Sequence, residues 1–175
     1  QYLPFHSGQN YIGNIKKNLD FLNYYKNLEI FFKKFEEKYN LEVIIAAHPR
    51  SDYKTNNLLA KKRKFFINQT PKLIKYSKIV FTHTSNALNY AVLFKKPIFF
   101  LTLDHYRNMD VFRPEFLSNH FKTFCFHMEK KIYFPKKNKL FTFKNIIYEK
   151  YKKDFLVTKK FKGNSFWKEF SKKII

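Results

Sequence analysis

Glycine and cysteine are scarce in this sequence, and their scarcity excludes several kinds of site. Three of the 175 residues are glycine, and neither the P-loop nor the dinucleotide-binding pattern of glycines occurs. Cys125 is the single cysteine, so an internal disulfide is excluded, and one thiol cannot form a zinc site by itself. Long apolar runs are also missing, because no stretch approaches the roughly 20 uncharged apolar residues of a membrane-spanning helix.

Acidic residues are also scarce in this sequence. The chain has 13 Asp and Glu against 35 Lys and Arg, which gives a formal net charge of +22. A basic surface favours anionic partners such as nucleotides, nucleic acid, membrane phospholipid or acidic polysaccharide. Because the abundance of lysine, phenylalanine and tyrosine is also typical of AT-rich codon usage, we give the charge less weight than the motifs.

Length and hydrophobicity predict one folded domain. A chain of 175 residues with 45% hydrophobic content can bury a core of its own. The sequence begins at Gln1 rather than at methionine and carries no recognisable signal peptide. We therefore expect a cytoplasmic protein and a chain cut from something longer.

The spacing of apolar residues predicts the regular elements. Residues 1–14 carry Pro, Gly and Asn and are expected to be a linker. From Ile15 to Tyr39 the apolar residues recur at steps of three and four, which predicts an amphipathic helix that ends at Asn40. Residues 41–47 are predicted to form a strand, because they contain the continuous apolar run 43–47, which is typical of a strand covered on both faces. The other predicted strands are 64–68, 78–82, 97–103 and 122–128, and the other predicted helices are 71–77, 85–96, 143–153 and 165–175.

The alternation of strands and helices predicts the fold class. Such an order is typical of an α/β domain with a parallel sheet, helices on both faces and right-handed crossovers. The expected organisation is therefore a linker over 1–14 and one domain over 15–175 that ends in closing helices. Ligands of open parallel sheets bind beyond the carboxyl ends of the strands.

Two groups of residues at those carboxyl ends predict an anion site. His48, Pro49 and Arg50 follow the first strand, and Thr84, Ser85 and Asn86 follow the third at a predicted helix start. Small hydroxyl residues at a helix N-terminus let a phosphate approach the backbone amides. An imidazole and a guanidinium could complete a clamp on that phosphate, and His48 could stabilise a departing phosphate or act as an acid.

Each of these features also has a purely structural interpretation. Ser85 could be only a helix cap, as Thr70 is predicted to be before Pro71, and His48-Pro49 could be only a strand terminator. Their shared location on one edge favours the binding interpretation. Weaker candidates on the same edge are Gln69, Thr70, His83, Asp104, His105 and Tyr106. His120 and His127 are interpreted as structural, and we expect no metal because the histidines and the cysteine lack metal-ligand spacing.

Residues 41–103 resemble a known family. The segments "IIAAHPRSDY" and "LIKYSKIVFTHTSNALNYAVLFKKPIFFL" are similar to the C-terminal nucleotide-binding half of bacterial GT-B glycosyltransferases with HP and S/T motifs. That group includes sialyltransferases, polysialyltransferases and Kdo transferases, which use CMP-activated sugars. The resemblance implies a Rossmann-like domain in which His48, Thr84 and Ser85 contact the phosphate and ribose of the donor.

The resemblance also implies a function and a setting. It implies the donor-binding domain of an enzyme of capsule or lipooligosaccharide synthesis, with the nucleotide sugar as substrate, no further cofactor and an anionic glycan or lipid-linked acceptor. The enzyme would act in the cytoplasm, with peripheral association at the inner membrane. The catalytic base of such enzymes usually lies in the N-terminal half. We therefore expect this chain to bind nucleotide and to transfer sugar poorly by itself.

The motifs of enzyme families with alternative functions differ from this chain at particular residues. UDP-sugar 2-epimerases carry Ser-Gly-Gly where this chain has Ser85-Asn86-Ala87, and CDP-glycerol phosphotransferases carry Asp-Tyr-Ser-Ser where it has Thr82-His83-Thr84-Ser85. A nucleic-acid-binding module would fit the charge, but the aromatic residues follow the apolar periodicity of predicted core elements. The nucleotide base, the sugar, the acceptor, the linkage and the oligomeric state are left open by the sequence.

Overall fold

The computed structural model describes residues 21–47, 63–104 and 114–156. The predicted linker over 1–14 and the predicted helix over 165–175 lie outside these ranges. In chain order the elements are α1 (Phe21–Tyr39), β1 (Ile45–Ala47), β2 (Phe65–Ile67), α2 (Thr70–Tyr76), β3 (Val80–Thr82), α3 (Leu88–Leu93), β4 (Ile98–Thr102), α4 (Pro114–Phe121), β5 (Cys125–His127), α5 (Lys137–Leu140), α6 (Asn145–Tyr151) and a π-helical turn (Lys152–Leu156).

Helix α1 has the apolar stripe that its sequence predicts. Its buried residues recur at steps of three and four on one side of the helix. Asn40 adopts a left-handed conformation with φ of 54°, and its amide donates to the carbonyl of Glu36 at 2.8 Å. This ending is typical of a helix C-terminus, where asparagine tolerates positive φ better than most residues do. The predicted end of the helix is therefore confirmed, while residues 15–20 lie outside the described ranges.

All the described strand pairs are parallel, but they form two small sheets. Strands β1 and β2 pair with each other, and β3, β4 and β5 form a second sheet in that order. The sequence predicts one sheet; within the described ranges no ladder joins β1 to β3. Packing joins them instead, because Ile45 of β1 and Phe81 of β3 belong to the same apolar cluster. The architecture is mixed α/β with short parallel strands, compatible with a Rossmann-like fold.

Strand β4 shows that both faces of the larger sheet are covered. Its five residues are all buried. Phe99 and Leu101 pack into a cluster with α1, whereas Ile98 and Phe100 pack into a second cluster with residues of α2, α3, α4 and α6. Successive side chains of a strand point to opposite faces. Helices therefore cover both sides of this sheet, as the alternation of strands and helices in the sequence predicts.

Aromatic rings fill the cluster beside α1. The fully buried Phe31 packs against Phe81, Phe126 and Phe134, with ring centroids 5.3–5.5 Å apart. Edge-to-face and tilted pairs at such distances add to the free energy gained by burying the rings. The high phenylalanine content of the chain is thus used in its core.

Arg63 joins α1 to the start of β2. Its guanidinium contacts Glu29 through two bonds of 2.7 and 3.1 Å and Glu36 through a bond of 2.6 Å, while its side chain is 7% exposed. The same Glu36 oxygen accepts the amide proton of Val43 at 2.7 Å. Arg63 thus binds two carboxylates of α1, and one of them, Glu36, also binds the backbone just before β1.

Several boundaries differ from the sequence expectations. Helix α3 begins at Leu88 and ends at Leu93, instead of spanning 85–96, and its N-cap is Ala87 rather than Ser85. Helix α2 includes Thr70, and Gln69 precedes it without a side-chain cap bond. The difference at Ser85 arises because hydroxyl residues that can cap a helix can also form turns. Among the helices of the three described ranges, none combines the length and the hydrophobicity that crossing a bilayer requires.

Candidate functional site

One face of the larger sheet changes from apolar to polar as its strands reach their carboxyl ends. On β4, Ile98 and Phe100 are buried on the face covered by α3 and α4. Thr102 follows on that face two residues later, and Asp104, which is exposed, lies two residues after Thr102. Along the opposite face Phe99, Leu101 and Leu103 stay apolar. The polar change is therefore confined to one side of the sheet.

The register of the strands brings further polar residues to the same place. Thr102 pairs with His127 of β5, and Thr82 of β3 pairs with Phe100. In-register neighbours of parallel strands lie on the same face. The polar edge is defined by these residues together with those that follow β4 and β5: Thr82, Thr102, Asp104, His127 and Glu129.

Asp104, His127 and Glu129 form the centre of the polar edge. His127 Nε2 lies 3.0 Å from Asp104 Oδ1, and the backbone amide of Asp104 donates to Glu129 Oε2 at 2.8 Å. One ligand atom from each of the three residues lies within 4.8 Å of the others. Lys130 Nζ lies 3.8 Å from Asp104 Oδ1. One imidazole and two carboxylates in this arrangement offer the donor atoms that divalent metals bind.

Buried polar atoms lie beneath this group. Thr82 is 7% exposed, and its Oγ1 has no hydrogen-bond partner among the described residues. The same holds for His127 Nδ1, on a side chain that is 11% exposed. Thr102 Oγ1 donates to Glu115 Oε1 of α4 at 2.8 Å. Polar atoms buried in this way usually bind a partner, so Thr82 Oγ1 and His127 Nδ1 are each suited to a hydrogen bond with water or a polar ligand.

The predicted anion site is described in part. Thr84 and Asn86 are exposed and Ser85 is half-buried, in the turn between β3 and α3. Ser85 Oγ accepts the amide proton of Ala87 at 3.2 Å, and the Ser85 carbonyl accepts that of Leu88 at 3.0 Å. Because Ser85 Oγ is the acceptor in this bond, its own hydroxyl hydrogen is able to donate to a ligand. The turn lies at the carboxyl end of β3, as the sequence predicts.

His83 lies in the core rather than on the edge. It is 4% exposed, its Nδ1 lies 2.7 Å from the Leu101 carbonyl, and its Nε2 lies 2.9 Å from the Tyr24 hydroxyl. Burial lowers the pKa of His83 to about 3, because a charged imidazole would lose its solvation there. The ring is therefore neutral at physiological pH, and it joins α1 to the sheet instead of contacting an anion.

Of the other candidates, some lie at the two-stranded sheet of β1 and β2, and the rest lie outside the described ranges. His48, Pro49, Arg50, His105 and Tyr106 lie outside the described ranges. Gln69 is exposed and Thr70 is half-buried, both immediately after β2 of the two-stranded sheet. The structure thus places Thr84, Ser85, Asn86 and Asp104 on one edge of one sheet.

Sequence reasoning missed Glu129 and interpreted His127 as structural, whereas Thr82 and Thr102 lie at the carboxyl ends of the predicted strands 78–82 and 97–103. The signal in the sequence was weak, because Asp104 and His127 lie 23 residues apart and become neighbours only through strand register. His127 and Glu129 share a strand-like spacing of two residues, which puts both on one face. No protein-family model, curated protein or solved structure matches the chain.

Proposed function

We propose that this chain is the donor-binding domain of a glycosyltransferase that moves a sugar from a nucleotide-activated donor, with a CMP-sugar favoured, to a surface glycan. The observation that carries the proposal is the parallel sheet whose carboxyl edge presents Thr84, Ser85 and Asn86 in one exposed turn. Ligands of open parallel α/β sheets bind at such edges. The HP motif at His48 and Pro49 directly follows the last residue of β1.

The chemistry of the edge suits a phosphate. The Ser85 hydroxyl can donate to a phosphate oxygen, and the exposed side chains of Thr84 and Asn86 add further donors. In the proposal, His48 and Arg50 bind the same phosphate from the end of β1, with Arg50 supplying paired N–H donors. The formal net charge of +22 favours the approach of an anionic donor.

The proposed mechanism is an inverting transfer. An acceptor hydroxyl attacks the anomeric carbon while the bond from that carbon to the phosphate oxygen breaks and the nucleotide leaves with the bonding electrons. His48 and Ser85 stabilise the negative charge that develops on the leaving phosphate. A base removes the acceptor proton. In this proposal the base belongs to an N-terminal half that is not part of this chain, so the chain alone binds nucleotide and transfers sugar slowly.

The setting is part of the same proposal. The acceptor is an anionic or lipid-linked glycan of a capsule or lipooligosaccharide, and the enzyme works in the cytoplasm at the inner face of the inner membrane. Lysines such as Lys150, Lys152 and Lys153 near the end of the described chain would attract the negative surface of that membrane.

The test is a comparison of nucleotides in a thermal-shift assay, followed by titration calorimetry. CMP should stabilise the chain more than CDP or UDP, and a ligand at 100 times its Kd adds about 2.7 kcal/mol. Stronger stabilisation by UDP or CDP would favour an epimerase or a phosphotransferase instead. Salt-dependent binding of DNA without competition by nucleotides would favour a nucleic-acid-binding module.

Two variants and a control connect binding to the proposed residues. His48→Ala and Ser85→Ala should each weaken CMP binding by about 1–3 kcal/mol, the scale of hydrogen bonds to charged groups. Ser77→Ala is the matched control, because Ser77 precedes β3 and its hydroxyl donates to the Ile74 carbonyl. Unchanged CMP affinity in both site variants would overturn the proposal, as would an equal loss in Ser77→Ala.

A further inference from the structure

We propose that Asp104, His127 and Glu129 form a binding site for a divalent transition-metal ion, with Zn²⁺ as the best fit. The proposal does not rest on the nucleotide-sugar function. It rests on the geometry of the three side chains and on the strand pairing that holds them together.

The spacing of the donor atoms suits one ion. Nitrogen and carboxylate oxygen ligands bind zinc at about 2.0–2.2 Å, so two ligands of one ion lie roughly 3–4 Å apart. His127 Nε2 and Asp104 Oδ1 are 3.0 Å apart, and all three ligand atoms lie within 4.8 Å of one another. Asp104 and Glu129 are exposed, so small rotations of their side chains can close the remaining gap.

The sheet holds the three residues in place. The amide of Met128 donates to the Thr102 carbonyl at 2.9 Å, which continues the β4–β5 pairing beyond the last ladder residues. This bond places the segment after β4, which contains Asp104, next to the segment after β5, which contains Glu129. His127 is the least mobile ligand, because its side chain is 11% exposed. A ligand set fixed by neighbouring strands loses little entropy when it binds an ion.

The charges and the atom types select the ion. The group combines two carboxylates with one imidazole. The Lys130 Nζ atom, a positive charge, lies 3.8 Å from Asp104 Oδ1. A divalent cation bound between the two carboxylates would neutralise the charge of both. The imidazole nitrogen favours zinc over magnesium or calcium, which prefer oxygen ligands alone.

Titration calorimetry with Zn²⁺ on the full chain tests the proposal. The wild-type chain should bind zinc, and His127→Gln and Glu129→Gln should each weaken that binding at least tenfold. His120→Gln is the matched control, because His120 is exposed on α4 and does not belong to the group. Lys130→Ala should strengthen zinc binding, because it removes a cation that competes for Asp104. Mg²⁺ should bind more weakly than Zn²⁺ to the wild-type chain.

Three results would overturn the proposal. They are zinc binding that survives in both His127→Gln and Glu129→Gln, an equal loss in His120→Gln, and the absence of zinc binding by the wild-type chain. Circular dichroism of each variant separates a lost ligand from a lost fold. Glu129→Gln is the decisive variant in that respect, because the Glu129 side chain is exposed and its substitution leaves the core intact.

Discussion

The Tyr24 hydroxyl lies 2.9 Å from Nε2 of His83, and both residues are buried. On the other side of the ring, Nδ1 lies 2.7 Å from the Leu101 carbonyl oxygen. Since a carbonyl can only accept, Nδ1 carries the proton, and Nε2 of the neutral ring accepts the proton of Tyr24. The two bonds fix one tautomer and join α1 to β4 through the end of β3.

Removing the Tyr24 hydroxyl should destabilise the domain. Tyr24→Phe leaves Nε2 of a buried imidazole without this donor, and we expect a loss of about 1–3 kcal/mol in the free energy of unfolding. Urea denaturation followed by circular dichroism measures it. Tyr76→Phe is the control, because Tyr76 is 73% exposed, and it should change stability by less than about 0.5 kcal/mol. Equal effects of the two substitutions would contradict this account of the bond.

His83 should make stability fall with acid. Its native pKa of about 3 lies below the ordinary value of 6.5, so the unfolded chain binds a proton that the folded chain excludes. The contribution is complete above about pH 6.5 and decreases by up to about 1.4 kcal/mol per pH unit toward pH 3. Urea denaturation at several pH values measures the slope. His83→Asn, which keeps a donor for Leu101, should show a shallower slope. Parallel slopes for the two proteins would contradict the assignment.

Arg63 should contribute more to stability than the lysine beside it. Arg63→Leu leaves Glu29 and Glu36 without their buried cation, and we expect a loss of about 2–4 kcal/mol. Lys64→Leu breaks an exposed contact with Glu42 at 2.9 Å and should cost less than about 1 kcal/mol. Thermal and urea unfolding of both variants check the comparison. A cost for Lys64→Leu as large as that for Arg63→Leu would show that burial does not set the strength of these pairs.

The sequence predicts elements better than it predicts their boundaries. The steps of three and four before Asn40 predict α1 and its end. The apolar residues 97–101 predict β4, which is buried on both faces in the structure. Ser85 shows why caps are harder to place. Its hydroxyl bonds the amide of Ala87 within a turn, and the helix begins three residues later, because such local bonds compete with helix capping.

The candidate site was predictable only where it followed a single strand end. Thr84, Ser85 and Asn86 begin two residues after the end of β3, so their place on the edge can be derived from the sequence. The pairing of Asp104 with His127 depends on the register between β4 and β5, which apolar periodicity does not determine. His83 was expected on the edge but lies in the core. Nothing in the neighbouring sequence indicates that its ring is buried.

A crystal structure of the protein with bound CMP tests the central claim most directly. We expect the phosphate of CMP within hydrogen-bond distance of the Ser85 hydroxyl, at the carboxyl end of β3, with His48 on the other side of the phosphate. Nucleotide bound elsewhere would contradict the account. So would a structure in which His48 and Ser85 face separate regions of the surface.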